Sequence, residues 1–228
     1  MFCRRSSLLL LTLVVGLVWV GSAAASCNPN RSNKTADVRA GWSRSPGPGG
    51  SCITGTFASF NAYFPYITGI STSSGAFVEL YDASTSGQFA AEGYEDNTDV
   101  GKVFWMEDYG RGFFRTFLGP APGTSHSYEI VRSGGAFHFY IDNSDYYDES
   151  DTIYQGCSTE QGAFLNNELN QMVGGYNAKL SFTASQFLNS LGWHYTNGTT
   201  FIQGNINFYG VEGDSTSLFK TWDWACAT

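Results

Sequence analysis

The chain has 228 residues, with 20 acidic against 12 basic side chains and a formal charge of -8. Such a balance repels phosphate backbones, so nucleic acid is not an expected partner. Residues 1–25 read as a signal peptide: Arg4 and Arg5 precede the apolar run from Leu8 to Val20, and Ala23, Ala24 and Ala25 supply a cleavage site before Ser26. The run is too short for a membrane span and no second one follows, so a secreted chain with no membrane partner after cleavage is expected.

Four cysteines remain in the expected mature chain, Cys27, Cys52, Cys157 and Cys226. Their wide spacing, with no flanking histidines, suits structural disulfides and neither a zinc knuckle nor a redox pair. Cys27 and Cys226 lie near the two ends, which favours the pairs Cys27–Cys52 and Cys157–Cys226. Residues 26–50, rich in Asn, Ser, Gly and Pro, read as a flexible lead-in to one domain over 51–228.

From Cys52 onward, short aromatic and β-branched runs alternate with glycines and small polar residues. Strands are predicted over 53–64, 75–82, 88–94, 102–109, 112–118, 126–132, 136–141, 152–156, 162–165, 179–183, 192–195, 201–209 and 218–224. The stretch 75–82 sets Phe77, Glu79 and Tyr81 against Ala76, Val78 and Leu80. The stretch 102–109 sets Val103, Trp105, Glu107 and Tyr109 against Phe104, Met106 and Asp108. Ser133-Gly134-Gly135 joins a hairpin. Helical spacing of Phe187, Leu188 and Leu191 allows one short helix over 185–191, and one helical turn fits 167–173. So many strands imply an all-β fold, a two-sheet antiparallel β-sandwich of jelly-roll or lectin-like type. A closed barrel is the alternative; a β-helix lacks the necessary rung repeat.

Two strands carry an aromatic–x–Glu–x–aromatic pattern, Phe77-x-Glu79-x-Tyr81 and Trp105-x-Glu107-x-Tyr109. A glutamate between large rings on one face either lines a groove or sits on an exposed outer sheet. In the first case Phe77, Glu79, Tyr81, Trp105 and Tyr109 bind an extended glycan or peptide, and the Glu79 and Glu107 carboxyls at glycosidase-like separations bring acid–base chemistry. No serine-hydrolase elbow or phosphate-binding glycine loop occurs, and no cofactor is expected. The acidic stretch Asp142, Asn143, Ser144, Asp145, Asp148, Glu149 and Asp151 reads as a solvated loop, with calcium as the alternative. Trp193, Tyr195, Trp222 and Trp224 read as inner-sheet core, with a glycan-stacking platform as the alternative.

The stretch 88–109 (QFAAEGYEDNTDVGKVFWMEDY), with 122–132 and 138–142, resembles the central part of the acid glutamic peptidases (eqolisin-like) and related uncharacterised secreted bacterial proteins. That resemblance implies a double-sheet jelly roll and a glutamic-peptidase-like hydrolase acting at low pH. The family's glutamine, two residues before a glycine, falls on Ala91, and Glu92 should face the other way. The aromatic-flanked glutamate corresponds to Glu107. The catalytic glutamate, after a cysteine-containing loop, corresponds to Glu160 or Glu168. With Ala91 in place of the glutamine, binding of a polymer is favoured over cutting it, and a structural or adhesive role is the third reading.

Overall fold

Regular side-chain alternation builds fifteen strands among the described residues of a computed structural model. These are residues 38–224 without 47–49, 66, 83–87, 148–156, 168–169, 197 and 205. In chain order they are β1 (Val38–Arg44), β2 (Gly55–Asn61), β3 (Ser73–Tyr81), β4 (Phe89–Asn97) and β5 (Gly101–Asp108). Next come β6 (Phe113–Leu118), β7 (Ser125–Ser133), β8 (Ala136–Ile141), β9 (Ser144–Tyr147) and β10 (Ser158–Leu165). The last five are β11 (Leu180–Asn189), β12 (Gly192–Tyr195), β13 (Thr199–Gln203), β14 (Tyr209–Ser215) and β15 (Leu218–Asp223).

They form two antiparallel sheets. The seven-stranded one runs β13-β1-β10-β3-β4-β5-β6, and the eight-stranded one runs β14-β15-β11-β2-β7-β8-β9, with β12 beside β11. The path through both sheets is open, so the sandwich reading holds and the barrel does not. Residues of one parity on each strand meet between the sheets: Ala76, Val78, Leu80, Tyr94 and Met106 from the first, Phe60, Tyr128, Ile130, Phe139, Phe182 and Phe219 from the second. Phe60 stacks on Tyr128 with ring centroids 4.2 Å apart, and Phe182 on Phe219 at 4.4 Å. Burial of these rings supplies the main favourable term in folding.

One polar side chain spans this core. Gln161 of β10 points inward, and its Nε2 donates to Thr56 Oγ1 at 2.9 Å, Phe57 O at 2.9 Å and Gln186 O at 3.1 Å. It thereby joins the sheets where β11 bulges between Thr183 and Gln186, with Ala184 in the left-handed region at a φ of 53°.

Several expectations are corrected. Residues 185–191 are not a helix: 185–189 continue β11, Phe187 packs into the core, and Leu191 is exposed at a turn, so its helical spacing was accidental. The stretch 201–209 is two strands: β13 ends at Gln203 and β14 begins at Tyr209. The presumed flexible lead-in contains β1, which pairs with both β10 and β13. Its alternation of Val38, Ala40 and Trp42 inward is short but complete.

The cysteine pairing also differs. Cys52 bonds to Cys157, which excludes both Cys27–Cys52 and Cys157–Cys226. The starts of β2 and β10 lie side by side, where the Ile53 amide donates to Cys157 O, so sheet packing rather than nearness to the termini decides the partner. Cys27, Cys226, Glu168 and the predicted strand 152–156 lie outside the described residues. Of the four late aromatics, Trp222 is buried, whereas Trp193, Tyr195 and Trp224 are exposed. In the acidic stretch, Asp142 accepts from the Ser127 amide and pairs with His126 at 2.6 Å. Asp145 lies 3.7 Å from His138, and no metal-holding group occurs among the described residues.

Candidate active site

Parity puts a second set of side chains on the face of the seven-stranded sheet turned away from its partner. Register aligns them in rows. Glu160, Glu79, Ala91 and Glu107 stand directly opposite one another across β10, β3, β4 and β5. The adjacent row is Gly162, Phe77, Gly93 and Trp105, and the next is Phe164, Gly75 and Glu95. Glycine in the middle of these rows has a steric cause. A Cβ on Gly75 would come within 2.8 Å of the Phe164 ring, so its absence lets that ring lie across β3. Phe164 then meets Phe77 edge-on at 6.2 Å and Trp105 at 6.0 Å. Phe77, Ala91 and Trp105 form a small apolar cluster of their own, with Phe89 and Phe164 packed against it.

The rings and acids enclose an open cleft of about 250 Å³. Glu79, Glu95 and Glu107 line it together with Arg39. Although this face points away from the core, Glu79 is 5% exposed and Glu95 7% exposed. Arg39 Nη1 lies 2.9 Å from Glu79 Oε2 and 3.9 Å from Glu160 Oε2, and its guanidinium sits 5.1 Å from the centroid of Phe77. Two oxygens 2.9 and 3.9 Å from one nitrogen are at most about 6.8 Å apart. Glu79 and Glu160 are therefore a pair, joined by a shared cation.

Electrostatics separates the members. Burial, then repulsion from Glu79, pushes Glu160 up to about 7, against the pull of Arg39. Glu107 is raised by burial and by Glu79, with Arg39 opposing and Glu95 adding. Glu95 is raised by burial, although the Asn97 side-chain amide donates to it at 3.1 Å. Tyr81 is also raised, by burial first, with Glu160 and Glu79 contributing. A carboxyl that keeps its proton to near neutrality beside one bound to a guanidinium can exchange protons with a substrate.

Of the residues singled out from sequence, Phe77, Glu79, Trp105 and Glu107 line this cleft, and Glu160 stands beside Glu79 on the neighbouring strand, 3.9 Å from Arg39. Tyr81 ends β3 beside the Glu79–Glu160 pair, and Tyr109 sits on the rim, stacked on Phe89 at 5.2 Å. Glu107 and Glu160 are separated by two intervening strands, so Glu79, and not Glu107, is the acid next to Glu160. Glu92 faces the opposite way, into the core, where it is wholly buried. Sequence reasoning missed Arg39, Glu95 and Phe164. Arg39 is out of phase with Val38 and Ala40, and Glu95 shares the parity of Ala91, so period-two counting extended to both segments finds them.

No protein-family model matches the chain, and no curated protein matches it. Solved structures do. A scytalido-glutamic peptidase bound to a peptide-based transition-state analogue is 13% identical, at a TM-score of 0.61. The same peptidase with a transition-state analogue inhibitor is 10% identical, at 0.62. SCP-B, described as a member of the eqolisin family of peptidases and bound to the tripeptide Ala-Ile-His, is 12% identical, at 0.55. Each likeness covers 84% of this chain and 100% of the other. The chain thus has the double-sheet fold of the glutamic peptidases, at identities that show the fold alone.

Proposed function

We propose that this protein is a secreted acid hydrolase that cleaves an extended polypeptide in the open cleft, with Glu79 and Glu160 as its proton-transfer pair. The observation that carries the reading is their register: two carboxyls on neighbouring strands, one bound to Arg39 and the other pushed up to about 7. Two acids held apart in their proton affinity divide the work of base and acid. The peptide-based analogue and the tripeptide named with solved structures of the same fold favour a polypeptide over a glycan. The disulfide between Cys52 and Cys157 supports an oxidising, extracellular setting.

In this reading Glu79, the member bound to Arg39, acts as the base and takes a proton from water as the water oxygen bonds to the scissile carbonyl carbon. Glu160 gives its proton to the carbonyl oxygen, leaving a neutral tetrahedral diol. Glu79 then passes its proton to the departing nitrogen, the C–N bond breaks, and one diol hydroxyl returns its proton to Glu160. Ala91 has no group to hold water, and its small side chain leaves Glu79 unobstructed from β4. Glu107, on the far side of Ala91, borders the cleft and adds negative potential.

The test is hydrolysis of a mixed peptide library at acid pH by the wild type, Glu79→Gln and Glu160→Gln, with folding checked by circular dichroism. Both variants are expected to lose at least about a hundredfold in rate, the range of acid–base contributions. Wild-type rates in either folded variant would refute the assignment. Peptide binding without cleavage in the wild type would instead favour a pure binding role.

A further inference from the structure

The cleft has an excess of negative charge on one side. Arg39 is engaged by Glu79 and Glu160 and is the only basic side chain lining it among the described residues. Glu95 and Glu107, on β4 and β5, flank the Trp105 row; Arg39 acts on Glu107 only weakly against its burial, and it forms its ion pairs with Glu79 and Glu160 instead. Burial raises both carboxyls, and Glu95 adds to the shift of Glu107, so the site disfavours the charge it would hold there. A cation placed between them relieves both repulsion and desolvation.

Trp105 supplies an independent observation. The residue is only 8% exposed, it lines the cleft, and its Nε1 has no acceptor among the described atoms. A buried N–H without a partner costs about 1–3 kcal/mol, which an incoming acceptor recovers. The aromatic lining of the cleft, Phe89, Trp105 and Phe164, can cover a hydrocarbon stem, as basic side chains require while their charged ends reach an acid. One chemical group meets all three demands: an extended chain with a backbone carbonyl, an apolar stem and a positive end.

We propose that the cleft selects polypeptides carrying a lysine or arginine side chain, seated between Glu95 and Glu107 while the Trp105 indole donates to a carbonyl oxygen of the same chain. The proposal rests on the reading of the cleft as a peptide site and assigns its substrate class. It does not depend on which carboxyl moves a proton.

The test is equilibrium binding by calorimetry, on the full chain and on its Glu160→Gln variant, which prevents turnover of the titrant. Titrants are alanine–glycine peptides alike except for one central lysine, arginine, norleucine or glutamate. At low ionic strength and neutral pH, the lysine and arginine peptides are expected to bind about tenfold tighter than the norleucine peptide, with the glutamate peptide weakest. Glu95→Gln and Glu107→Gln should each lower that preference to about threefold or less. Trp105→Phe should weaken all four peptides alike and keep the preference, since it removes the donor and keeps a ring. Equal binding of lysine and norleucine peptides by the wild type overturns the proposal, as does tighter binding of a cationic glucosamine oligomer. An unchanged preference in both glutamine variants overturns the seat between Glu95 and Glu107. Hydrolysis of neutral peptides that depends on Glu79 and Glu160 would persist in each of these cases, so the two readings fail separately.

Discussion

Glu92 offers a test of how the sandwich responds to pH. It sits in the middle of β4, turned opposite to Ala91, between the sheets and fully buried. Neither of its oxygens is in full hydrogen-bond geometry, although the backbone amides of Glu129 and Tyr140 lie near, and the Tyr128 hydroxyl beside it is also unpaired. Burial therefore raises its carboxyl well above the ordinary range, with the Glu129 charge adding to the shift. The folded state keeps a proton that the unfolded chain releases near the normal carboxylate range. Stability from this group is thus fully present below that range and is lost as pH rises towards the folded-state value. Over that window one proton costs about 1.4 kcal/mol per pH unit. Each pH unit crossed within that window is a noticeable share of a typical domain stability. Glu92→Gln keeps the shape and removes the proton. Urea unfolding of wild type and variant from about pH 4 to about pH 8 should show the variant gaining on the wild type by that slope. Glu160 titrates with the same sign, but it is present in both chains and cancels in the difference. Parallel stability curves for the two chains would refute the reasoning.

Arg39→Met should raise the apparent pKa at which activity falls on the alkaline side, because Arg39 opposes the upward shifts of Glu107 and Glu160. It should also cost about 2–3 kcal/mol by leaving Glu79 buried without its cation, read by thermal unfolding. Gln161→Ala removes three donated hydrogen bonds from the core and is expected to destabilise by about 2–4 kcal/mol, seen as a lower urea midpoint with an unchanged slope. Replacing Cys52 and Cys157 by serine opens a link across 105 positions and should cost about 4–5 kcal/mol on the chain-entropy account, measured by the same unfolding assay.

The sandwich was legible because strands such as β3 and β5 show their period of two without ambiguity, and the same counting placed Glu79 with Phe77 and Glu107 with Trp105 on one side. It erred at β11, where a bulge at Ala184 shifts the phase and imitates helical spacing. Pairing across the sheet was beyond reach, because adjacency of β10 to β3 is set by packing of segments some eighty residues apart. That adjacency decides the site: it makes Glu79 the neighbour of Glu160 and leaves Glu107 beyond two intervening strands. Arg39 was hidden for a compositional reason, since a proline- and glycine-rich stretch after β1 outweighed its brief alternation. The disulfide depended on the same long-range neighbours and was misread with them.

The openness of the seven-stranded sheet has a consequence for the molecule in crowded surroundings. Its last strand, β6, pairs only with β5 among the described residues, and it displays Phe114 at 56% exposure and Leu118 at 92%. Such a margin is a template on which a second copy can add a strand and begin a chain of copies. Arg115 lies at the middle of that margin, exposed, with its guanidinium 5.0 Å from the centroid of Phe113. A register that sets Arg115 opposite its own copy brings like charges together and repels. Arg115→Ala is therefore expected to lower solubility at high concentration, and an unchanged solubility limit would show that this charge does not hinder edge pairing.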